Sequence, residues 1–293
     1  MKIRFGAGLG RGADPASFPA AVDVLERAGV DSLWLSEVVY APNVDPLVGM
    51  AYALARTTTL KVGTGVAILP GRHPVLVAKQ LASLAALAPR RVLPVFGLSP
   101  AQDRERDLFR VPDGRRGAVF DDSMRLLRRV LTEPEVSYRS EFFDVRSATI
   151  QPLAVRPPDI WLGGSSPAGL RRVGRFGDGW LGSFLTPAEA ARAKAAIEAS
   201  AAEAGREIEP DHYGISLTVA EAGVPPELAQ AARTRRPDVD PPALLAGSWD
   251  DLHRLLDGYL EAGLTKFVVR PGAPIPFERF VERFVKELHP LEN

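Results

Sequence analysis

The sequence has no cysteine. That excludes disulfides, thiolate nucleophiles and cysteine-ligated metal centres together, and it fits a cytoplasmic protein. Histidine is scarce, with four in 293 residues. None sits in H-E-x-x-H or H-x-x-E-H, and no carboxylates pair at ligand spacing, so the sequence offers no metal-site motif. Net charge is also missing, since 36 basic residues balance 36 acidic ones. This leaves no electrostatic case for a nucleic-acid or membrane partner. No run approaches the roughly 18 apolar residues of a membrane span. The opening MKIRFGAGLG lacks the apolar core of a signal peptide. Ser165 and Ser166 stand outside any G-x-S-x-G elbow, which argues against that type of hydrolase.

Short apolar runs alternate with longer amphipathic ones. The runs Lys2–Gly8, Asp31–Glu37, Leu60–Ile68, Val92–Leu98, Asp159–Gly163, Trp180–Phe184, Tyr213–Ala220 and Leu264–Arg270 read as strands. The segments Pro15–Ala28, Pro46–Thr57, Pro74–Ala88, Ala118–Leu131, Pro167–Phe176, Pro187–Ala204, Asp250–Ala262 and Phe277–Leu288 read as the helices after them. SLWL, VFGL and KFVV are apolar on both faces, as strands buried in a parallel sheet must be. Eight βα units predict a closed (β/α)8 TIM barrel in one domain over residues 1–293, with an open doubly wound sheet as the alternative. Thr132–Pro158, with VSYRSEFFDV, reads as a hairpin inserted before the fifth strand. Glu221–Ser248, rich in Pro, Arg and Asp, reads as a mobile excursion after the seventh, either a lid or a solvated insertion.

Barrel chemistry sits at the C-terminal ends of the strands. The candidates there are Glu37, Gly65 and Val66, Gly97, the Gly163–Ser166 turn and Arg270. IWLGGSSPAGLRR is the most informative stretch. Its glycines admit a ligand to the backbone, its serines add hydroxyls, and Pro167 begins a helix whose free N–H groups favour an anion such as phosphate. An ordinary N-capped βα turn would have the same residues. The glycines of GAGLGRG recur every second residue and miss the G-x-G-x-x-G dinucleotide spacing. Glu37 is the acid/base candidate, with bonding to nearby backbone N–H groups as its structural alternative. His73, in GRHP, is either a helix cap or a catalytic group. His212 precedes the seventh strand, away from a barrel site, and His253 and His289 lie on helices as surface or packing residues.

In order, AGVDSLWLSE, DPLVGMAYALARTTTLKVGTGV, LPGRHPVLVAKQLASLAAL and IWLGGSSPAGLRRVGRFGDGW closely resemble the luciferase-like oxidoreductase superfamily, which includes F420-dependent dehydrogenases. The resemblance runs from about Lys2 to Pro187 and resumes at GLTKFVVRP. It implies a bacterial luciferase-like barrel that binds coenzyme F420, with FMN as the alternative cofactor, at its C-terminal mouth. It implies cofactor phosphate at Gly163, Gly164, Ser165 and Ser166. It also implies a non-proline cis peptide at Gly65–Val66 whose bulge backs the ring system, and a homodimer. The expected activity is hydride transfer between F420 and a small organic substrate. The alternatives are an FMN monooxygenase using O2 and a partner reductase, and a non-catalytic barrel. Departures from the family pattern are Val38 where many relatives carry histidine, LAALAPRR before strand four, Ser99 for glycine, and Arg110 for glycine in ERDLFRV.

Overall fold

Proline marks where helices begin. In the computed structural model, which describes residues 2–10, 14–153 and 156–293, α2 (Pro46–Arg56), α3 (Pro74–Leu87), α5 (Pro167–Phe176), α6 (Pro187–Glu203) and α7 (Pro226–Arg235) all start on one. Proline lacks the N–H that a first helical turn leaves unbonded anyway. The residue before it usually caps. The Asp45 carboxylate accepts from the N–H groups of Leu47 and Val48, both at 3.0 Å. Thr186 and Glu189 form a reciprocal capping box. The remaining helices are α1 (Phe18–Arg27), α4 (Arg116–Thr132), α8 (Trp249–Glu261) and α9 (Phe277–Leu288). Among the described residues no helix is long and apolar enough to cross a membrane.

The strands are β1 (Arg4–Gly8), β2 (Ser32–Leu35), β3 (Lys61–Thr64), β4 (Ala67–Ile68), β5 (Val92–Leu93), β6 (Val95–Gly97), β7 (Val136–Arg139), β8 (Asp144–Ala148), β9 (Trp161–Gly163), β10 (Gly179–Ser183), β11 (Tyr213–Val219) and β12 (Lys266–Pro271). Ten of them form one parallel sheet in the order β4-β6-β9-β10-β11-β12-β1-β2-β3-β5. The expected eight strands are thus ten, because two are divided. Pro94 has no N–H for the ladder and separates β5 from β6. Gly65–Val66, a cis peptide, separates β3 from β4. The Thr64 hydroxyl bridges the first break, accepting from the Val95 N–H at 2.8 Å and donating to the Val95 carbonyl at 2.7 Å.

The strands separate two apolar layers. Leu33 and Leu35 join the large core beneath the helices. Trp34, which points to the opposite face by strand alternation, joins Val95, Leu181 and Val268 in a smaller inner cluster.

Glu26 on α1 ties down the turn that leads into β3. Its carboxylate accepts from the N–H groups of Thr58, Thr59 and Leu60 and from both threonine hydroxyls. Partial burial alone would raise its pKa, but these bonds outweigh it and hold the group down at about 2. Because the folded value is depressed, the stabilisation is complete above the unfolded-state pKa and disappears as pH falls through the folded one. Glu26→Gln is expected to cost about 1–2 kcal/mol at pH 7. In denaturant melts across pH, the gap from wild type should close on acidification towards pH about 2.

Both long connections contain structure. β7 and β8 pair as an antiparallel hairpin. It is pinned to α4 where the Tyr138 hydroxyl donates to Asp122. The 221–248 segment, expected as a mobile excursion, instead carries α7 and a short 3-10 turn at Pro241–Ala243. These close over an apolar cluster of their own, formed by Ala232, Leu244 and Leu245.

Candidate active site

At the C-terminal ends of β6, β9 and β10 lies a cavity of about 300 Å³, bordered by Val66, Gly97, Gly163–Ser166 and Phe184. Its back wall depends on absent side chains. A Cβ at Gly97 would stand 2.5 Å from Val66 Cγ2, and one at Gly163 would stand 2.8 Å from Val66 Cγ1. The two glycines therefore make the slot that receives Val66, a different reason for glycine from direct contact with a ligand. Three bonds from the end of β2 hold the Val66 bulge. The Gly65 N–H donates to the Leu35 carbonyl at 2.7 Å, the Ser36 hydroxyl to the Gly65 carbonyl at 3.1 Å, and the Glu37 N–H to the Val66 carbonyl at 3.2 Å.

The opposite wall is the start of α5. Ser166 caps it, accepting from the Gly169 N–H at 3.1 Å. The N–H groups of Ser165, Ser166 and Ala168 have no partner among the described residues. Free N–H groups at the positive end of a helix form an anion site.

Two arginines from the 221–248 segment, absent from the candidates above, complete the rim. Arg236 is fully engaged. It bonds the Phe184 carbonyl at 2.5 Å and pairs with Glu189 at 2.6 Å and Asp238 at 2.9 Å, which hold its pKa above the usual arginine value. It fastens the segment to the cap of α6. Arg235 lies 4.9 Å above the Phe184 ring and has no carboxylate partner among the described residues. The TRRPD run was the only sign of them in the sequence.

The cavity thus gathers Val66, Gly97, Gly163, Gly164, Ser165 and Ser166, with Gly65 directly behind Val66, but neither Glu37 nor Arg270 borders it. The Glu37 carboxylate is buried and occupied. One oxygen accepts from the Ile68 N–H at 2.7 Å and from Arg72 Nη1 at 2.9 Å, and the other from Arg72 Nη2. Both oxygens are committed within the fold, where the sequence had suggested an acid/base group. Arg270, at the end of β12, lies over Gly8 and donates to the Ser216 hydroxyl. It has no carboxylate partner among the described residues, and burial lowers its pKa. Glu105 is also buried and accepts from the Tyr40 N–H at 2.8 Å. His73 is a helix cap, accepting from the Val75 N–H at 3.3 Å.

The fold and this mouth place the chain in a family. The model for luciferase-like monooxygenases matches residues 1–251, and the chain belongs to that family. Its relatives include an uncharacterized protein of Mycobacterium tuberculosis, 35% identical over 60% of this chain. Another is the F420-dependent glucose-6-phosphate dehydrogenase of Kineococcus radiotolerans, 27% identical over 53% of this chain. The matches span 60% and 49% of those relatives' own lengths. Among solved structures, an F420-dependent secondary alcohol dehydrogenase in complex with an F420-acetone adduct superposes with a TM-score of 0.84 at 16% identity, covering 100% of both chains. The oxygenating constituent of 3,6-diketocamphane monooxygenase from Pseudomonas putida, in complex with FMN, gives 0.76 at 18% identity, covering 100% of this chain and 99% of that one. The fold is the luciferase-like TIM barrel.

Proposed function

We propose that this protein is an oxidoreductase that binds coenzyme F420 at the C-terminal mouth and exchanges a hydride with a small organic substrate. The observation that carries this reading is the set of unpartnered N–H groups at the start of α5, facing the slot that holds Val66. A phosphate fits the first and a flat ring fits against the second, so the residues present suit the cofactor. The F420-dependent relative from Kineococcus supports the choice of deazaflavin.

Bound F420 would supply hydride chemistry at ring carbon five, while the protein supplies position and electrostatics. Ser165 and Ser166 would hold the phosphate, and Val66 would back the ring with Gly97 and Gly163 behind it. Arg270, a half-buried cation without a carboxylate partner among the described residues, would receive the acidic tail of the cofactor or an anionic group of the substrate. Glu37 acts in this reading as a positioning residue that fixes the Val66 bulge through Arg72 and Ile68. We count β3 with β4, and β5 with β6, as one strand each. The described residues then form a single closed (β/α)8 ring, and the β3–β5 and β4–β6 pairings support the closure. A homodimer is supported by the exposed apolar side chains Val48, Tyr52, Leu76 and Leu87 on the neighbouring helices α2 and α3. Sedimentation velocity should show two copies, and a monomer at micromolar concentration would reject the dimer.

The test is a fluorescence titration of purified protein with F420 and FMN side by side. F420 is expected to bind at micromolar concentration or tighter, and FMN more weakly. A preference for FMN would favour a monooxygenase that needs O2 and a partner reductase. Binding of neither would favour a barrel without cofactor chemistry.

A further inference from the structure

A second and larger cavity lies at the other end of the strands. It has a volume of about 690 Å³ and is bordered by residues at the strand starts, among them Arg4, Ser32, Lys61, Val92, Trp161 and Lys266. Small-molecule sites commonly span about 300–1,000 Å³. A barrel interior is normally filled by stacked layers of side chains. Here Leu181 borders both cavities, so one layer at that point separates them.

The space exists because two indoles pack directly on glycines instead of filling the mouth. A Cβ at Gly6 would stand 2.3 Å from Trp34 Nε1, which donates to the Ser32 hydroxyl at 2.9 Å. A Cβ at Gly179 would stand 2.3 Å from the Trp161 ring. The indoles, with Leu93, Leu181 and Val268, give the cavity an apolar floor.

The rim is charged and unbalanced, with six lysines and arginines against three aspartates. Each aspartate is already engaged. Asp31 pairs with Lys61 at 2.6 Å and Arg4 at 3.8 Å, Asp211 with Lys266 at 3.1 Å, and Asp159 with Arg156 at 3.8 Å. Lys2 and Arg90 have no carboxylate partner among the described residues. An apolar, indole-lined floor below surplus cations is complementary to one kind of ligand.

We propose that the N-terminal end of this barrel is a second binding site, for a small organic anion with a flat apolar body, separate from the cofactor mouth. The probe is 8-anilinonaphthalene-1-sulfonate, titrated by its fluorescence enhancement, with thermal melts confirming that each variant is folded. Wild type should bind the probe saturably, and one site per chain should persist in Ser165→Asp, whose carboxylate closes the anion site of the cofactor mouth. The double variant Lys2→Glu with Arg90→Glu reverses the two unpaired rim charges and should weaken binding on the order of tenfold. Ala85→Trp places an indole in the cavity from α3 and should abolish binding without touching the rim. Ser165→Asp, at the opposite mouth, should leave the affinity unchanged. No saturable binding to wild type would overturn the proposal. So would unchanged affinity in both N-terminal variants, or loss of affinity in Ser165→Asp.

Discussion

Ser165→Asp should separate stability from cofactor binding, lowering affinity for F420 or FMN by about 100-fold, which is roughly 2.7 kcal/mol, while leaving the fold intact or slightly more stable. Ser165 is exposed, and its side chain makes no bond that the change would break. It stands beside the Ser166 cap of α5, where the helix dipole favours negative charge. A carboxylate there is worth about 0.3–1 kcal/mol to the folded state. The same field, with the free N–H groups of Ser165, Ser166 and Ala168, is what a phosphate would use. The aspartate occupies that field in advance and repels a second anion. Thermal melting and fluorescence titration of the same preparation read the two effects. If melting is unchanged and the cofactor binds as tightly as to wild type, its phosphate lies elsewhere and the proposed mouth is wrong. Ser165→Ala controls for loss of the hydroxyl and should weaken binding much less, because backbone N–H groups do most of the holding.

Most elements could be read from the sequence because their signals are local. Pro167–Phe176 and Phe277–Leu288 have the bounds that periodicity and punctuation predict. The interruptions were harder to see. Pro94 stands in plain view inside Val92–Leu98, yet an apolar run on both sides masks the missing ladder bond. In the candidate site, Gly97 and Gly163 invite the reading that a ligand approaches their backbone. The actual neighbour is Val66, from the break between β3 and β4, and no one-dimensional pattern records that contact. Arg235 and Arg236 lie in a segment whose composition looks solvated. Only the folded chain shows that Arg236 ties this segment to Glu189, 47 residues earlier. The N-terminal cavity was illegible for the same reason, since empty volume has no residue to mark it.

The partnership of Glu37 with Arg72, 35 residues away, leads to the second large effect. Arg72→Ala is expected to destabilise the protein by about 3 kcal/mol, the range for removing one member of a buried ion pair. The Glu37 side chain is 3% exposed and would be left charged without its cation, whereas 26% of Arg72 is exposed, which keeps the cost at the lower end. Glu37→Gln should cost less, about 1–2 kcal/mol, because the amide oxygen can still accept from the Ile68 N–H and the stranded cation is the more exposed partner. The order of the two variants is the diagnostic, and chemical denaturation measures it. Both should also weaken cofactor binding, because the Ile68 N–H and the Val66 carbonyl are held by the same glutamate and the bulge between β3 and β4 loosens with it. A proton-transferring Glu37 predicts a different pattern. Glu37→Gln would then melt like wild type and bind cofactor normally, and would fail only in turnover, with one limb of the pH profile missing. Loss of stability and affinity together, with the shape of the profile retained, identifies Glu37 as the residue that sets the ring-backing wall.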